Sequence, residues 1–229
     1  MKIEELKSIV KPGDVINIEG KAKWWQIWMK ITYWGIRFYQ RRLFGKESNY
    51  RDTHTTLYFS PDKVFSTTTP KARWETLEHQ LKQKFTVYRY NIREYSDEHI
   101  QFMEEIASTL IDLEYDVGDL VDFLIGGLLG YLHVRKIRLF EFSRKKMVCS
   151  TSVRAIQENL RKVLEEDGDF SFPRLFNKLN PERWSQEEIE KFERTDVEAT
   201  TPAHYANSSW FESEFVKVCS WEDFKEKEK

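Results

Sequence analysis

Cysteine is scarce in this chain of 229 residues, and its two copies, Cys149 and Cys219, exclude a disulfide framework. No CxxC pair and no Cys/His spacing suited to a metal accompanies them, so neither a metal site nor a cofactor is expected. Nine Gly and six Pro leave no room for a long flexible linker or a low-complexity tract. Charge is nearly balanced at -2, which removes any global pull toward nucleic acid or anionic lipid. Long hydrophobic runs are missing as well. The longest, Phe123 to Leu132, is about half of what a bilayer span needs, so no stable membrane insertion is expected. Glu4 and Glu5 interrupt any apolar opening, which argues against a signal peptide. The expectation is a cytoplasmic protein, with delivery by phage or cell lysis as the other route to a substrate outside.

The chain is rich in apolar and aromatic side chains at regular spacing. Hydrophobic residues make up 40%, charged residues 32% and aromatic residues 15%, with eight Trp. With no break in composition, those proportions fit one α+β domain over 1–229. Residues 2–10 read as a short helix ending at the turn signal Lys11-Pro12-Gly13-Asp14, and Val15 to Ile18 as a strand. Residues 23–44 carry apolar positions at helical spacing. A polar loop, Gly45 to Thr53, leads into a β-branched and aromatic run, His54 to Phe59. Ser60-Pro61-Asp62-Lys63 turns the chain and Val64 to Thr68 returns it. A short helix is expected over 74–81, a strand over 85–90, and a helix capped at Ser96 that runs through Leu110. Residues 117–132 and 186–192 read as further helices, and Glu214 to Val218 as a strand before a charged tail from about 222. The strongest amphipathic pattern, residues 151–165, is opened by Val148-Cys149-Ser150.

Cys149 therefore stands at the start of a helix. Unpaired backbone N–H groups and the helix dipole at that end favour a thiolate, so a lowered thiol pKa is expected. On local sequence alone two readings stand: a nucleophile, or a small buried hydrophobe. His79, His99, His133 and His204 lack a carboxylate or cysteine at telling spacing and read as surface or packed histidines. Cys219 reads as a structural thiol. The basic clusters at Arg41-Arg42 and Arg144-Lys145-Lys146 are short enough to be solvated surface. The aromatic stretch from Trp24 to Tyr39 reads as core before it reads as the wall of a groove.

Five segments, in order, resemble the circularly permuted branch of the NlpC-like, papain-fold cysteine hydrolases, which is related to the lecithin:retinol acyltransferase-like proteins. They are KPGDVI, HTTLYFSPDKVFS, YDVGDLVDFL, VCSTSVRAI and TTPAHYANSSWF, and together they span roughly residues 11–220. The resemblance implies a permuted papain-like fold: a small antiparallel sheet packed against helices, with the nucleophile at a helix N-terminus. It implies Cys149 as nucleophile, His54 as general base and Ser66 as the third, orienting residue, where relatives carry a longer polar side chain. Thr67 is the alternative orienter. Counted along the hairpin without a gap, Ser66 falls beside Leu57, so contact with His54 requires a register offset. The implied activity is amide hydrolysis through an acyl-enzyme, on a peptide, a cell-wall peptide or an acyl substrate. The alternatives are a binding module that keeps the fold without catalysis, and a lipid-directed thiol acyltransferase or lipase.

Overall fold

The computed structural model describes residues 3–24, 26–46, 48–91, 93–115, 146–169, 185–186, 200–207 and 215–225. The helices expected over 117–132 and 186–192 lie outside, or almost wholly outside, the described residues. In chain order the elements are α1 (Ile3–Lys7), β1 (Val15–Glu19), α2 (Ile27–Phe44), β2 (His54–Ser60), β3 (Lys63–Thr67), β4 (Ala72–Glu75) and α3 (Leu77–Gln80). They continue with β5 (Lys84–Tyr90), α4 (Asp97–Leu110), β6 (Glu114–Tyr115), β7 (Lys146–Met147), α5 (Cys149–Glu166), α6 (Pro202–Ala206), β8 (Phe215–Ser220) and α7 (Trp221–Lys225). The fold class is α+β. A six-stranded sheet, antiparallel throughout, runs in the order β4-β3-β2-β1-β5-β8.

Both faces of this sheet are covered, which explains why the central strand β1 is apolar or buried at nearly every position instead of alternating. On one face Val15, Leu57, Phe65 and Tyr88 pack against Met103 and Ala107 of α4, Val153, Ile156 and Leu160 of α5, and Tyr205 of α6. On the other, Ile16, Ile18, Val64 and Val87 pack against Leu6 of α1, Leu77 of α3 and Phe224 of α7. The short helix α7 occupies the start of what reads in sequence as a charged tail; Phe224 is its apolar anchor.

The region 72–81 differs from the helix expected there. Ala72–Glu75 is a strand paired with β3, and the helix starts only at Leu77, capped by Thr76 Oγ1 accepting from the His79 amide at 3.2 Å. Trp74 decides it, because its ring fills the space over Phe59 and Phe65 at centroid distances of 5.7 and 6.0 Å. At Ser96 the structure matches the expected cap. Its hydroxyl accepts from the His99 amide, and His99 Nδ1 accepts from the Ser96 amide, each at 3.2 Å.

The hairpin register is set by one residue. Ser60 pairs with Lys63, but Tyr58 then pairs with Val64, leaving Phe59 as a bulge. Ser66 thus opposes Thr56, not Leu57. A one-residue slip turns a strand over, so Ser66 joins His54 and Thr56 on one face of the hairpin. This is the offset that an ungapped count lacks.

The Pro-Gly-Asp turn before β1 is held by an ion pair. Arg89 donates to both carboxylate oxygens of Asp14 at 2.8 and 2.7 Å and to the Ile9 carbonyl at 2.8 Å, while the Lys11 amide donates to Asp14 at 2.8 Å. Removing one member of such a pair leaves the other charge uncompensated. Arg89→Leu is therefore expected to cost roughly 2–3 kcal/mol, the low side for a buried pair because the guanidinium is 26% exposed. Denaturant unfolding monitored by tryptophan fluorescence checks this.

Candidate active site

Cys149 is the first residue of α5, with Val148 in extended conformation before it. The whole first turn is buried, because it is wedged between the sheet and residues 200–202. Ser150 Oγ donates to the Thr200 carbonyl at 2.7 Å, and Ser152 Oγ shares a 2.7 Å hydrogen bond with Thr67 Oγ1. Thr67 thus pins α5 to β3 and is not the group that orients His54. Ser66 takes that position: its hydroxyl lies 3.0 Å from His54 Nε2, and it is fully buried.

The thiol lies within reach of the Thr55, Ser150 and Cys149 backbone amides, and Thr55 is the residue next to the histidine. Strand alternation sends His54 and Ser66 to the sheet face of Ile18 and Val64, and Thr55 and Thr67 to the face that α5 covers. Thiol and imidazole therefore meet the same end of β2 from its two faces. Two cavities open there. A cleft of about 20 Å³ is bounded by Cys149 and Pro202, and a cavity of about 610 Å³ is bounded by His54, Tyr33, Glu75 and His79. Thr53, Ile36 and Tyr115 line both, so the two spaces adjoin.

Burial controls the electrostatics. Desolvation lowers the His54 imidazole to about 4, and the nearby Glu75 (raising) and Arg73 (lowering) have smaller, opposed effects. Cys149 is raised above the ordinary thiol value by desolvation, with the amides of Thr55, Ser150 and Cys149 opposing it. This corrects the expectation of a helix-start thiolate: the amides are present, but a thiol only 4% exposed keeps its proton. The resting pair is neutral thiol and neutral imidazole. Cys219, on β8, is likewise pushed up to about 11 by burial and fills an apolar cluster, as a structural thiol does.

Beneath the thiol lies a buried polar network. Asn17 Nδ2 donates to the Pro202 carbonyl at 2.8 Å and to Asp52 at 3.3 Å, and its Oδ1 accepts from Thr55 Oγ1 at 2.9 Å. Gln40 of α2 donates to the Asp52 and Tyr50 carbonyls at 2.7 and 2.8 Å and accepts from the Ala203 amide at 2.8 Å. The Thr201-Pro202 segment is fixed in turn by His204, whose Nδ1 accepts from the Thr201 amide at 2.9 Å. His99 and His204 are thus helix-cap residues, and His79 lies 3.9 Å from Glu75 on the wall of the larger cavity.

Tyr33 is the candidate that sequence reasoning passed over. Its phenol is raised first by burial and further by the neighbouring Cys149, with Arg37 opposing, and it lines the His54 cavity as a neutral donor. The sequence signal was the aromatic spacing of α2, which did not separate Tyr33 from its neighbours. Glycine is required at position 20 for the same reason of space: a Cβ there would meet Thr53 Oγ1 at 2.6 Å and the Tyr33 ring at 2.7 Å.

No protein-family profile matches the sequence, and no curated protein matches it. The metalloprotein yiiX from Escherichia coli O157:H7 aligns with 92% of this chain and 97% of its own length, at 14% identity and a TM-score of 0.48. At that score the likeness assigns no residue a role. Among the described residues no group of three His, Cys, Asp or Glu side chains is placed to hold a metal ion.

The buried titratable groups predict how stability follows pH. His54 and His204 are lowered to about 4 and about 3, so between the ordinary value of 6.5 and those values the unfolded chain takes up protons that the folded one refuses. Their contribution is complete above pH 6.5 and is lost as pH falls. Asp52 is raised to about 6 by burial, so its folded form gains a proton first and offsets part of that loss. Asp52→Asn is expected to raise stability at pH 7.5 by roughly 1–3 kcal/mol and to steepen the loss below pH 6. Melting curves of both proteins from pH 7.5 to pH 4.5 measure it.

Proposed function

We propose that this chain is a cysteine hydrolase of the permuted papain-like kind, cleaving an amide or acyl bond through a Cys149 thioester. The observation that carries the reading is the hydrogen bond between His54 Nε2 and Ser66 Oγ, at the end of β2 where the Cys149 helix begins. Ser66 either donates or accepts, and the second case is the productive one. With Nε2–H donating to Ser66, the Nδ1 lone pair is free to take the thiol proton.

The chemistry then follows from neutral groups. Cys149 Sγ attacks the substrate carbonyl as its proton passes to His54 Nδ1. That transfer has to pass around the first residue of β2, because thiol and imidazole stand on opposite faces of the strand. The carbonyl oxygen gains negative charge and is met by the Cys149 amide at the helix start and by the Tyr33 phenol. Collapse breaks the bond to the leaving nitrogen or oxygen, which takes the proton from His54. Water, deprotonated by the same imidazole, hydrolyses the thioester and restores the thiol. The arrangement of a His-bearing strand before a Cys-bearing helix supports the permuted order, and the Thr201-Pro202 segment against the thiol supports the closing motif of that family.

A second reading, a binding module on the same fold, is favoured by one feature: the thiol is 4% exposed in a cleft of about 20 Å³. A screen of peptide, cell-wall peptide and acyl-ester substrates separates the two. Cys149→Ala and His54→Ala are expected to abolish turnover. Ser66→Ala should lower kcat about five- to tenfold, because a neutral hydroxyl orienter contributes only about 1 kcal/mol. Binding of a substrate with no turnover by wild type would leave the binding module standing.

A further inference from the structure

We infer that α2 is a membrane-surface helix that docks this protein onto an anionic lipid bilayer. The inward side of α2 is buried through Tyr39, Leu43 and Phe44. Its outward side is apolar too, where a helix at the surface of a globular protein is ordinarily polar. Ile27, Ile31, Trp34 and Phe38 fall at i, i+4, i+7 and i+11. The first three are 63%, 42% and 53% exposed, and the Trp34 and Phe38 rings stack at 5.4 Å.

Charge identifies the partner. Between Gly20 and Lys46 there are seven Lys or Arg and no Asp or Glu, in a chain whose net charge is -2. The exposed Lys30, Arg41 and Arg42 flank the apolar stripe on its two sides. A Trp-bearing apolar stripe bordered by basic residues, on a helix of 18 residues, matches a helix lying in the plane of a bilayer surface. It does not match a span, for among the described residues no helix is long and apolar enough to cross a membrane. A second copy of this chain would set the same basic borders against each other, whereas an anionic surface neutralises them. The inward edge of α2 carries Thr32, Tyr33 and Ile36 into the wall of the His54 cavity, so docking holds that cavity beside the lipid.

The test is co-sedimentation of the full chain with vesicles of phosphatidylcholine alone or with about a quarter phosphatidylglycerol. Binding to the anionic vesicles is expected, weaker by at least roughly tenfold on the neutral ones and weakened by salt. The double variants Ile31→Glu/Trp34→Glu and Lys30→Glu/Arg42→Glu should each lose it by at least roughly tenfold with an unchanged melting temperature. Cys149→Ala should bind as wild type does, which keeps docking separate from the thiol chemistry. Several results would overturn the inference: no binding to anionic vesicles, binding that neither variant alters, or a wild-type dimer that Ile31→Glu/Trp34→Glu dissociates without any lipid binding. Binding to single-stranded RNA but not to vesicles would overturn it as well.

Discussion

Asn17, a fully buried amide on the central strand, joins the pieces from which the site is assembled. Its oxygen accepts from Thr55 on β2, and its nitrogen donates to Asp52 and to the Pro202 carbonyl. Those partners come from the loop before the histidine, the histidine strand itself and the segment that backs the thiol. Gln40 repeats the logic from α2, tying the loop at Asp52 to Ala203. Each bond is worth about 1 kcal/mol net, yet an unpaired buried group costs about 1–3 kcal/mol, so the network is held together mainly by the penalty for breaking it. Cys149 inherits its position through Ser150 and Thr200, and α5 is held to the sheet through Ser152 and Thr67.

The same burial that fixes the geometry sets the protonation states. Three backbone amides favour the thiolate, but they do not outweigh the removal of water around a fully enclosed sulfur. The imidazole, half-buried on the wall of its cavity, is lowered by desolvation and stays neutral. An ion pair at rest is therefore absent, and any nucleophilic step must couple thiol attack to proton transfer. Ser66 suits a neutral imidazole, since a hydroxyl accepts the Nε2 proton without adding a charge that burial would penalise.

Much of this was legible in the sequence where the signal is local. The strand at His54, the cap at Ser96, and the helix opening at Cys149 follow from residue type and spacing within a few positions. The bulge at Phe59 does not, because nothing in HTTLYFSPDKVFS says which residue leaves the ladder; the packing of Phe59 and Phe65 on Trp74 does. Strand β4 was hidden for the same reason, as its pairing with β3 outweighs local helix preference. The Asn17 network joins residues 35 to 185 positions apart, beyond any motif. In α2 the aromatic spacing gave the helix but not its three roles. Tyr39 is core, Tyr33 is cavity wall and Trp34 is exposed surface, so the core reading of the stretch holds for only part of it.

Whether His54 acts on Cys149 is the point on which the functional reading rests, and their approach from two faces of β2 makes it a demanding one. Alkylation by iodoacetamide, followed by peptide mapping from pH 6 to pH 9.5, measures it directly. With His54 as base to a neutral thiol, Cys149 labels faster than Cys219. Its rate keeps rising with pH instead of levelling near neutrality, and His54→Ala slows it at least about tenfold while Cys219 is unchanged. Equal labelling of Cys149 in wild type and His54→Ala would contradict a working thiol–imidazole pair.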